Sequence, residues 1–290
     1  MRSLLRRLLP RTWVEPLRRL HNRAMDLADR ALVRRVQVAL GMRDELAPPP
    51  RLLAAIGVKS RDFRRIGRSL TTELVRLGGL GPTDRVLDIG CGTGLMAAAL
   101  TRVITTGSYE GFDIVDDTVD WCRREIAPRH PAFAFRKVDV HNALYNPAGN
   151  IRARDFAFPY RDAEFDFAFL TSIFTHMLPP DVEAYIAQIA RVLRADGRCF
   201  TTFFLLNEES IELLQGAARE LSFRHAADGY RIEDATRPEL AVAYTDAYVR
   251  ACFERHSMAI ERVAYGSWCG RTQFTSYQDI VVARRRSATG

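Results

Sequence analysis

The 290-residue sequence has few cysteines, almost no lysine and no long apolar run. Its cysteines are scattered, odd in number and free of C-x-x-C pairs: Cys91, Cys122, Cys199, Cys252 and Cys269. This usage argues against a disulfide framework and a zinc site, and it predicts a reducing, cytoplasmic location. No segment approaches the roughly 20 consecutive apolar residues of a membrane-spanning helix. With 47% hydrophobic and 27% charged residues, the composition is that of a globular protein.

Positive charge is concentrated at the N-terminus. Lys59 and Lys137 are the only lysines, so arginine supplies almost all of it. The whole chain has a net charge of +7, and residues 1–40 alone carry ten arginines against three acidic residues, also +7. A uniformly basic surface would indicate nucleic-acid binding. A localised excess instead argues against nucleic acid as a partner.

Residues 1–50 are predicted to form a basic amphipathic helical arm, and residues 51–290 a separate domain. Leucines recur at helical spacing among the arginines, while Pro10 and Pro16 divide the pattern into short helices. Residues 1–40 suit an anionic membrane surface, which would make the protein peripheral to a membrane. An organellar transit peptide, or a helical arm packed on its own domain or on a partner, fits the same pattern.

From Arg85 onward, apolar strands alternate with helical segments. Strands are predicted at Val86–Ile89, Tyr109–Ile114, Phe133–Val140, Phe165–Ile173 and Cys199–Leu206. This alternation is typical of βαβ units, so the fold class is α/β with a doubly wound, mostly parallel sheet. Met258–Tyr265 and Tyr277–Ala283 are too close for a helical crossover and should pair antiparallel at one edge. Two long, loop-like insertions, residues 141–160 and 223–239, interrupt the pattern, and such loops are commonly functional.

A glycine turn follows the first strand. Asp88 stands two residues before the alternating glycines Gly90, Gly92 and Gly94, and a helix follows from Leu95. A dinucleotide fingerprint would need glycine at position 95, where the chain has leucine. The D-x-G-x-G-x-G pattern instead resembles motif I of the class I S-adenosylmethionine-dependent methyltransferases, on the small-molecule branch of that family. The resemblance implies a Rossmann-like, seven-stranded sheet and S-adenosylmethionine as the cofactor.

The resemblance also implies a cofactor site along the carboxyl ends of the strands. The turn would give clearance to the amino-acid end of the cofactor, and Asp113 would bind the ribose hydroxyls. An acidic residue and its apolar neighbour at the end of the third strand would receive the adenine. The implied cofactor-binding residues are Asp88, Gly90, Cys91, Gly92, Gly94, Asp113, Ile114, Asp139, Val140 and Thr171. For Asp113 the alternative is a helix N-cap, a role for which Asp116 is better placed.

The acceptor side is predicted at the tip of the fourth strand, Leu170–Met177. Neither N-P-P-Y nor a Pro-Cys nucleophile is present there, and the nearby Asp166 lies at the wrong end for a metal site. His176 is the only histidine near this tip, so it is the candidate catalytic base, although it could merely shape the loop. Residues 207–209 and 268–271 could contact the acceptor, and residues 207–209 could equally cap a helix.

These observations predict an S-adenosylmethionine-dependent methyltransferase that transfers methyl without a metal. The expected acceptor is an oxygen of a small-molecule or lipid-linked compound. Two alternatives stay open: an RNA methyltransferase that uses the arm as a basic clamp, and a non-catalytic cofactor-binding subunit.

Overall fold

The computed structural model describes residues 36, 38–40, 44–55, 58–59, 62–216 and 220–287. Most of the predicted arm, including all of residues 1–35, lies outside the described residues. Two helices precede the first strand, α1 (Pro50–Ala55) and α2 (Phe63–Arg76). Ala47 and Leu53 are fully buried and cluster with Phe63, so residues just before and after the predicted domain boundary pack together.

Eleven strands and five more α-helices follow in the described part of the chain. The strands are β1 (Arg85–Ile89), β2 (Ser108–Asp113), β3 (Phe133–Lys137), β4 (Phe165–Leu170), β5 (Leu193–Phe203), β6 (Leu205–Leu206), β7 (His225–Ala227), β8 (Tyr230–Ile232), β9 (Val242–Thr245), β10 (Met258–Ala264) and β11 (Asp279–Arg285). The helices are α3 (Leu95–Leu100), α4 (Asp116–Glu125), α5 (Pro179–Val192), α6 (Glu208–Gln215) and α7 (Asp246–Arg255).

Seven strands form one sheet in the order β10-β11-β5-β4-β1-β2-β3. Strands β1 to β5 run parallel, whereas β11 is antiparallel to both β5 and β10. The predicted fold class and the antiparallel pair at the edge are therefore confirmed. Residues 86–89 of β1 are buried on both faces, since Leu87 and Ile89 belong to one core cluster and Val86 to the other. A strand covered on both faces needs the continuous apolar run seen in the sequence.

Several strand ends differ from the prediction. Strand β3 ends at Lys137 and β4 at Leu170, so Asp139, Val140 and Thr171 lie in the loops beyond their strands. Strand β5 begins at Leu193, six residues before the predicted start, because Leu193 pairs with Phe165 of β4.

The insertion at 223–239 was predicted to be a loop, which is wrong. It contains β7 and β8, which join β6 and β9 in a second sheet of order β6-β9-β8-β7. Strands β7 and β8 form a hairpin around Asp228-Gly229, with Gly229 at φ +77°. An Asp-Gly pair is a strong local hairpin signal. The other insertion, 141–160, has only isolated bridges and the single 3₁₀ turn Ala153–Asp155. None of the helices in the described part of the chain is long and apolar enough to span a membrane.

Candidate cofactor and acceptor site

The glycine turn between β1 and α3 has a left-handed backbone at Gly90, Gly92 and Gly94, with φ of +81°, +50° and +77°. A Cβ at Gly90 would lie 2.3 Å from Ile173 Cδ1, and one at Gly94 would lie 2.6 Å from Ile126 Cδ1. A Cβ at Gly92 would meet no atom within 4 Å. Gly90 and Gly94 are therefore needed for packing, while Gly92 borders open space where a ligand can approach the backbone.

Asp113 connects the end of β2 to this turn. Its Oδ2 accepts a hydrogen bond from Gly92 N at 2.8 Å, and its Oδ1 accepts one from Val115 N at 2.9 Å. The residue is 9% exposed, and burial raises the pKa of its carboxyl group. Because each carboxylate oxygen has a second lone pair, Asp113 can still accept two hydroxyl donors while it holds the turn.

Asp88 and Cys91 lie in the interior beneath the turn. Asp88 is 2% exposed, and its Oδ2 accepts a hydrogen bond from Tyr109 Oη at 2.5 Å. Burial, followed by the nearby Asp113 charge, raises the pKa of Asp88 to about 8, although the Tyr109 hydrogen bond opposes the shift. Burial also raises the pKa of the Cys91 thiol. The side chain of Asp88 thus has a protein partner, which differs from the exposed setting of a ligand-binding carboxylate.

The ends of β2 and β3 lie together, since Val138 N donates to Asp113 O at 3.0 Å. Asp139 is exposed, and its Oδ2 accepts a hydrogen bond from Asn150 Nδ2 at 2.8 Å. Val140 is buried and Ile114 is half-buried, both in the core cluster on that face of the sheet. The residues predicted to bind ribose and adenine therefore share one edge of the sheet.

His176 ends the 3₁₀ turn Phe174–His176, five residues after the half-buried Thr171. Its Nδ1 lies 3.1 Å from the carbonyl oxygen of Glu239. Because a carbonyl can only accept, Nδ1 carries the proton in this contact, and the neutral ring then has its lone pair on Nε2. Within the described residues, Nε2 has no hydrogen-bond partner.

Both insertions contact the His176 region. Glu239 Oε2 accepts a hydrogen bond from Asn142 Nδ2 at 3.3 Å. The rings of Tyr145 and His176 pack edge to face, with their centroids 6.0 Å apart. Burial, followed by the charge of Asp113, raises the pKa of Tyr145. The sequence analysis did not single out Tyr145 or Glu239, although it marked the insertions as long loops.

The residues 207–209 and 268–271, considered as acceptor contacts, form an internal network instead. Asn207 caps α6 reciprocally with Ser210, each contact being 2.9 Å. The Arg271 side chain is 2% exposed and reaches Asn207 Oδ1 at 2.9 Å, Glu209 Oε2 at 2.8 Å and Asp279 Oδ1 at 3.2 Å. A guanidinium held by three side chains fixes the loop after β10 to the start of α6.

In open α/β sheets, ligands bind in the crevice at the carboxyl ends of the strands, and the side chains described above lie at the ends of β1 to β3. Three observations fit such a ligand. Gly92 borders open space, Asp113 has lone pairs to spare, and Thr93 Oγ1 is buried without a hydrogen-bond partner among the described residues.

Residues 87–201 match the family model described as a methyltransferase domain. A fatty-acid O-methyltransferase of Mycolicibacterium smegmatis is 34% identical over 113 residues, which is 39% of this chain and 34% of that protein. The O-methyltransferase cnsE of Penicillium expansum is 33% identical over 134 residues, which is 46% of this chain and 42% of that protein. The aligned part thus spans well under half of either curated relative.

Solved structures share the fold at lower identity. A methyltransferase of Methanosarcina mazei superposes with a TM-score of 0.51 at 18% identity, covering 73% of this chain and 97% of that one. The [4+2]-cyclase SpnF superposes with a TM-score of 0.50 at 17% identity, covering 76% and 81%. Residues 87–201 therefore form a methyltransferase domain of the class I S-adenosylmethionine-dependent family. The predicted family and its cofactor, S-adenosylmethionine, are confirmed.

Proposed function

We propose that this chain transfers the methyl group of S-adenosylmethionine, without a metal, to an oxygen of a small-molecule or lipid-linked acceptor. The observation that carries the proposal is His176, whose Nε2 has no hydrogen-bond partner among the described residues. Its backbone N–H donates to the carbonyl of Ile173, and the side chain of Ile173 packs against Gly90 of the glycine turn. The two curated relatives support an oxygen acceptor because both are O-methyltransferases, one of them acting on fatty acids.

The cofactor site that we propose uses residues from four strand ends. Gly90, Cys91, Gly92 and Gly94 would accommodate the amino-acid end, supported from below by Asp88. Asp113 would accept the ribose hydroxyls, Asp139 and Val140 with Ile114 would face the adenine, and Thr171 would close the site at β4. When bound, S-adenosylmethionine supplies a methyl group on a positively charged sulfur.

His176 acts as the general base for an acceptor hydroxyl. Nε2 would accept the hydroxyl proton as the acceptor oxygen bonds to the methyl carbon, while the carbon–sulfur bond breaks with its electron pair on sulfur and S-adenosylhomocysteine leaves. The imidazolium that forms keeps its Nδ1–H on the Glu239 carbonyl, which holds the ring in place and stabilises its charge. Tyr145, packed against this ring, limits the access of water to the base. A carboxylate acceptor has no proton to lose, so it would not need this step.

The test compares His176→Ala with His225→Ala, an exposed histidine on β7. Methyl transfer from labelled S-adenosylmethionine is measured across a panel of phenols, fatty alcohols and fatty acids. Loss of a general base should lower kcat for hydroxyl acceptors by about 10²- to 10⁴-fold, with the affinity for S-adenosylhomocysteine unchanged. Equal rates for both variants on a hydroxyl acceptor would end the assignment of His176 as the base. Absence of any transfer by the native protein would instead favour a non-catalytic cofactor-binding subunit, because a fold does not by itself imply an activity.

We also propose that residues 1–40 hold the protein at an anionic membrane surface, where a lipid-linked acceptor would be found. Support comes from the sequence, in which a charge of +7 alternates with leucines and Trp13. A salt-sensitive affinity for RNA, in place of membranes, would favour the RNA methyltransferase alternative.

A further inference from the structure

The loop between β10 and β11 brings Gln278 against the residues that follow β4. Gln278 Oε1 accepts hydrogen bonds from the hydroxyl groups of Ser172, at 3.0 Å, and Thr202, at 2.7 Å. Thr202 Oγ1 itself accepts from Ser172 N at 2.8 Å, so its hydroxyl proton needs an acceptor. This need orients the amide with its oxygen toward Thr202. The Gln278 amide nitrogen, with two N–H donors, is consequently turned away from both hydroxyl groups.

The orientation of this amide is fixed from both sides. Ser172 has φ +59°, an uncommon conformation for a residue with a Cβ, and its contacts to Thr202 and Gln278 hold it there. On the other side, the fully buried Asp279 accepts hydrogen bonds from Leu205 N, Gly266 N and Trp268 Nε1 at 2.6 to 2.7 Å. The donors of Gln278 are therefore preorganised.

These donors lie close to the proposed cofactor site. Ile173 follows Ser172, and its side chain covers the position that a Cβ of Gly90 would occupy. Among the described residues, Gln278 Nε2 has no hydrogen-bond partner and is not one of the buried unpaired polar atoms. Tyr277 and Phe274, in the same loop, are 50% and 58% exposed. Accessible amide donors and two exposed aromatic rings thus belong to one loop, and Gln278 connects that loop to the residues after β4.

We propose that Gln278 determines acceptor specificity by donating hydrogen bonds to the head-group oxygen of an amphiphile, while Phe274 and Tyr277 contact its apolar chain. The ligand class is a long-chain compound with a carboxylate or hydroxyl head. This proposal rests on the proposed O-methyl transfer, since it names the class of acceptor for that reaction.

The test measures binding by calorimetry, using the full chain with S-adenosylhomocysteine and two probes, decanoate and 1-decanol. Gln278→Glu keeps an oxygen for Ser172 and Thr202, but it replaces the two donors with a negative charge. We expect decanoate affinity to fall about tenfold or more and decanol affinity to change by less than about threefold, because a carboxylate can accept from the alcohol. The control is Gln273→Glu, the same charge change at an exposed position of the same loop, which should bind both probes like the native chain.

A second variant tests the apolar contact without disturbing this hydrogen-bonded cluster. Phe274→Ser should weaken decanoate binding severalfold and leave butyrate binding unchanged, since the shorter chain buries less apolar surface. Equal decanoate affinity in the native, Gln278→Glu and Gln273→Glu chains would overturn the proposal, as would a native chain that binds neither long-chain probe. Decanoate affinity could fall only in Gln278→Glu while the native chain transfers no methyl group to either probe. That result would support the head-group site and contradict the proposed reaction.

Discussion

Replacing Asp113 should weaken cofactor binding without unfolding the protein. In the structure each carboxylate oxygen accepts one backbone N–H, from Gly92 or Val115, and retains a lone pair for a ribose hydroxyl. Hydrogen bonds to a charged acceptor contribute about 1.5–3 kcal/mol each. Asp113→Ala should therefore cost about 2 kcal/mol or more of binding free energy, or roughly a 30-fold weaker affinity for S-adenosylmethionine. The affinity of Asp113→Asn, which keeps one carbonyl oxygen, should lie between those of the native protein and Asp113→Ala.

The ligand can be varied to separate ribose binding from support of the turn. Adenosine and 2′,3′-dideoxyadenosine would compete against S-adenosylhomocysteine in calorimetric titrations of each variant. If Asp113 binds the ribose, Asp113→Ala should weaken adenosine binding but have little effect on the dideoxy compound, since the lost partners are absent from that ligand. An equal loss for both compounds would mean that Asp113 acts only by holding Gly92.

A matched control is available at the start of the next helix. Asp116 is exposed and pairs with Lys137 at 2.9 Å, so Asp116→Asn removes the same charge without touching the turn. Its affinity for the cofactor should stay within about twofold of the native value, the range of a screened surface charge. Unchanged affinity in Asp113→Ala would refute the ribose assignment.

Cofactor affinity should also depend on pH through Asp113. Because burial raises the pKa of Asp113 and only the carboxylate accepts both hydroxyls, affinity should begin to fall at a pH above the ordinary aspartate pKa as the pH is lowered.

Four further predictions concern stability, metal and the arm. The pKa of Asp88 is raised to about 8, so between about pH 4 and 8 its carboxyl group is protonated in the folded state and ionised in the unfolded chain. The folded state therefore binds one more proton, and stability falls as the pH rises through this range. The Tm advantage of Asp88→Asn over the native chain should accordingly grow across that range, and a constant difference would argue against the shift. Asp279→Ala leaves Arg271 without its most buried partner and should cost about 3–5 kcal/mol in urea unfolding, whereas a loss below 1 kcal/mol would contradict a buried pair. Turnover should survive EDTA, because the described residues contain no cluster of three metal-ligating side chains, and recovery by added magnesium would refute this. The full chain should float with anionic liposomes at low salt, each arginine adding up to about 1 kcal/mol, while a chain that starts at Asp44 should not float but should still bind S-adenosylmethionine. Flotation of the shortened chain would exclude the arm as the anchor.

The residues of the proposed cofactor site could be selected from the sequence because their signals are local. The Asp88 to Gly94 pattern is contiguous, and Asp113 follows it at the end of the next strand. The orientation of the Asp88 side chain could not be predicted from this pattern. Its carboxyl group bonds to Tyr109 on the neighbouring strand, and that contact depends on the register that places Asp88 opposite Gly111.

Other features could not be read because they depend on distant partners. Strand β5 begins at Leu193 because Leu193 pairs with Phe165 of β4. The capping role of Asn207 was among the alternatives, but the buried guanidinium of Arg271 that joins it lies 64 residues away. The hairpin of the second sheet is different, since Asp228-Gly229 is a local signal and could have been recognised.

The two halves of the site differ in how freely they can change. Gly90 and Gly94 are locked by Ile173 and Ile126 beneath the turn, so a side chain at either glycine would collide with the core. The acceptor side that we propose is built from loops, where Glu239 and Gln278 contact residues just after β4 from far along the chain. The match to the methyltransferase family ends at residue 201, before Thr202, Glu239 and Gln278. All the cofactor residues that we propose fall within the matched segment, whereas Gln278 falls outside it, so we expect substitutions at Gln278 to alter acceptor binding while leaving the cofactor site intact.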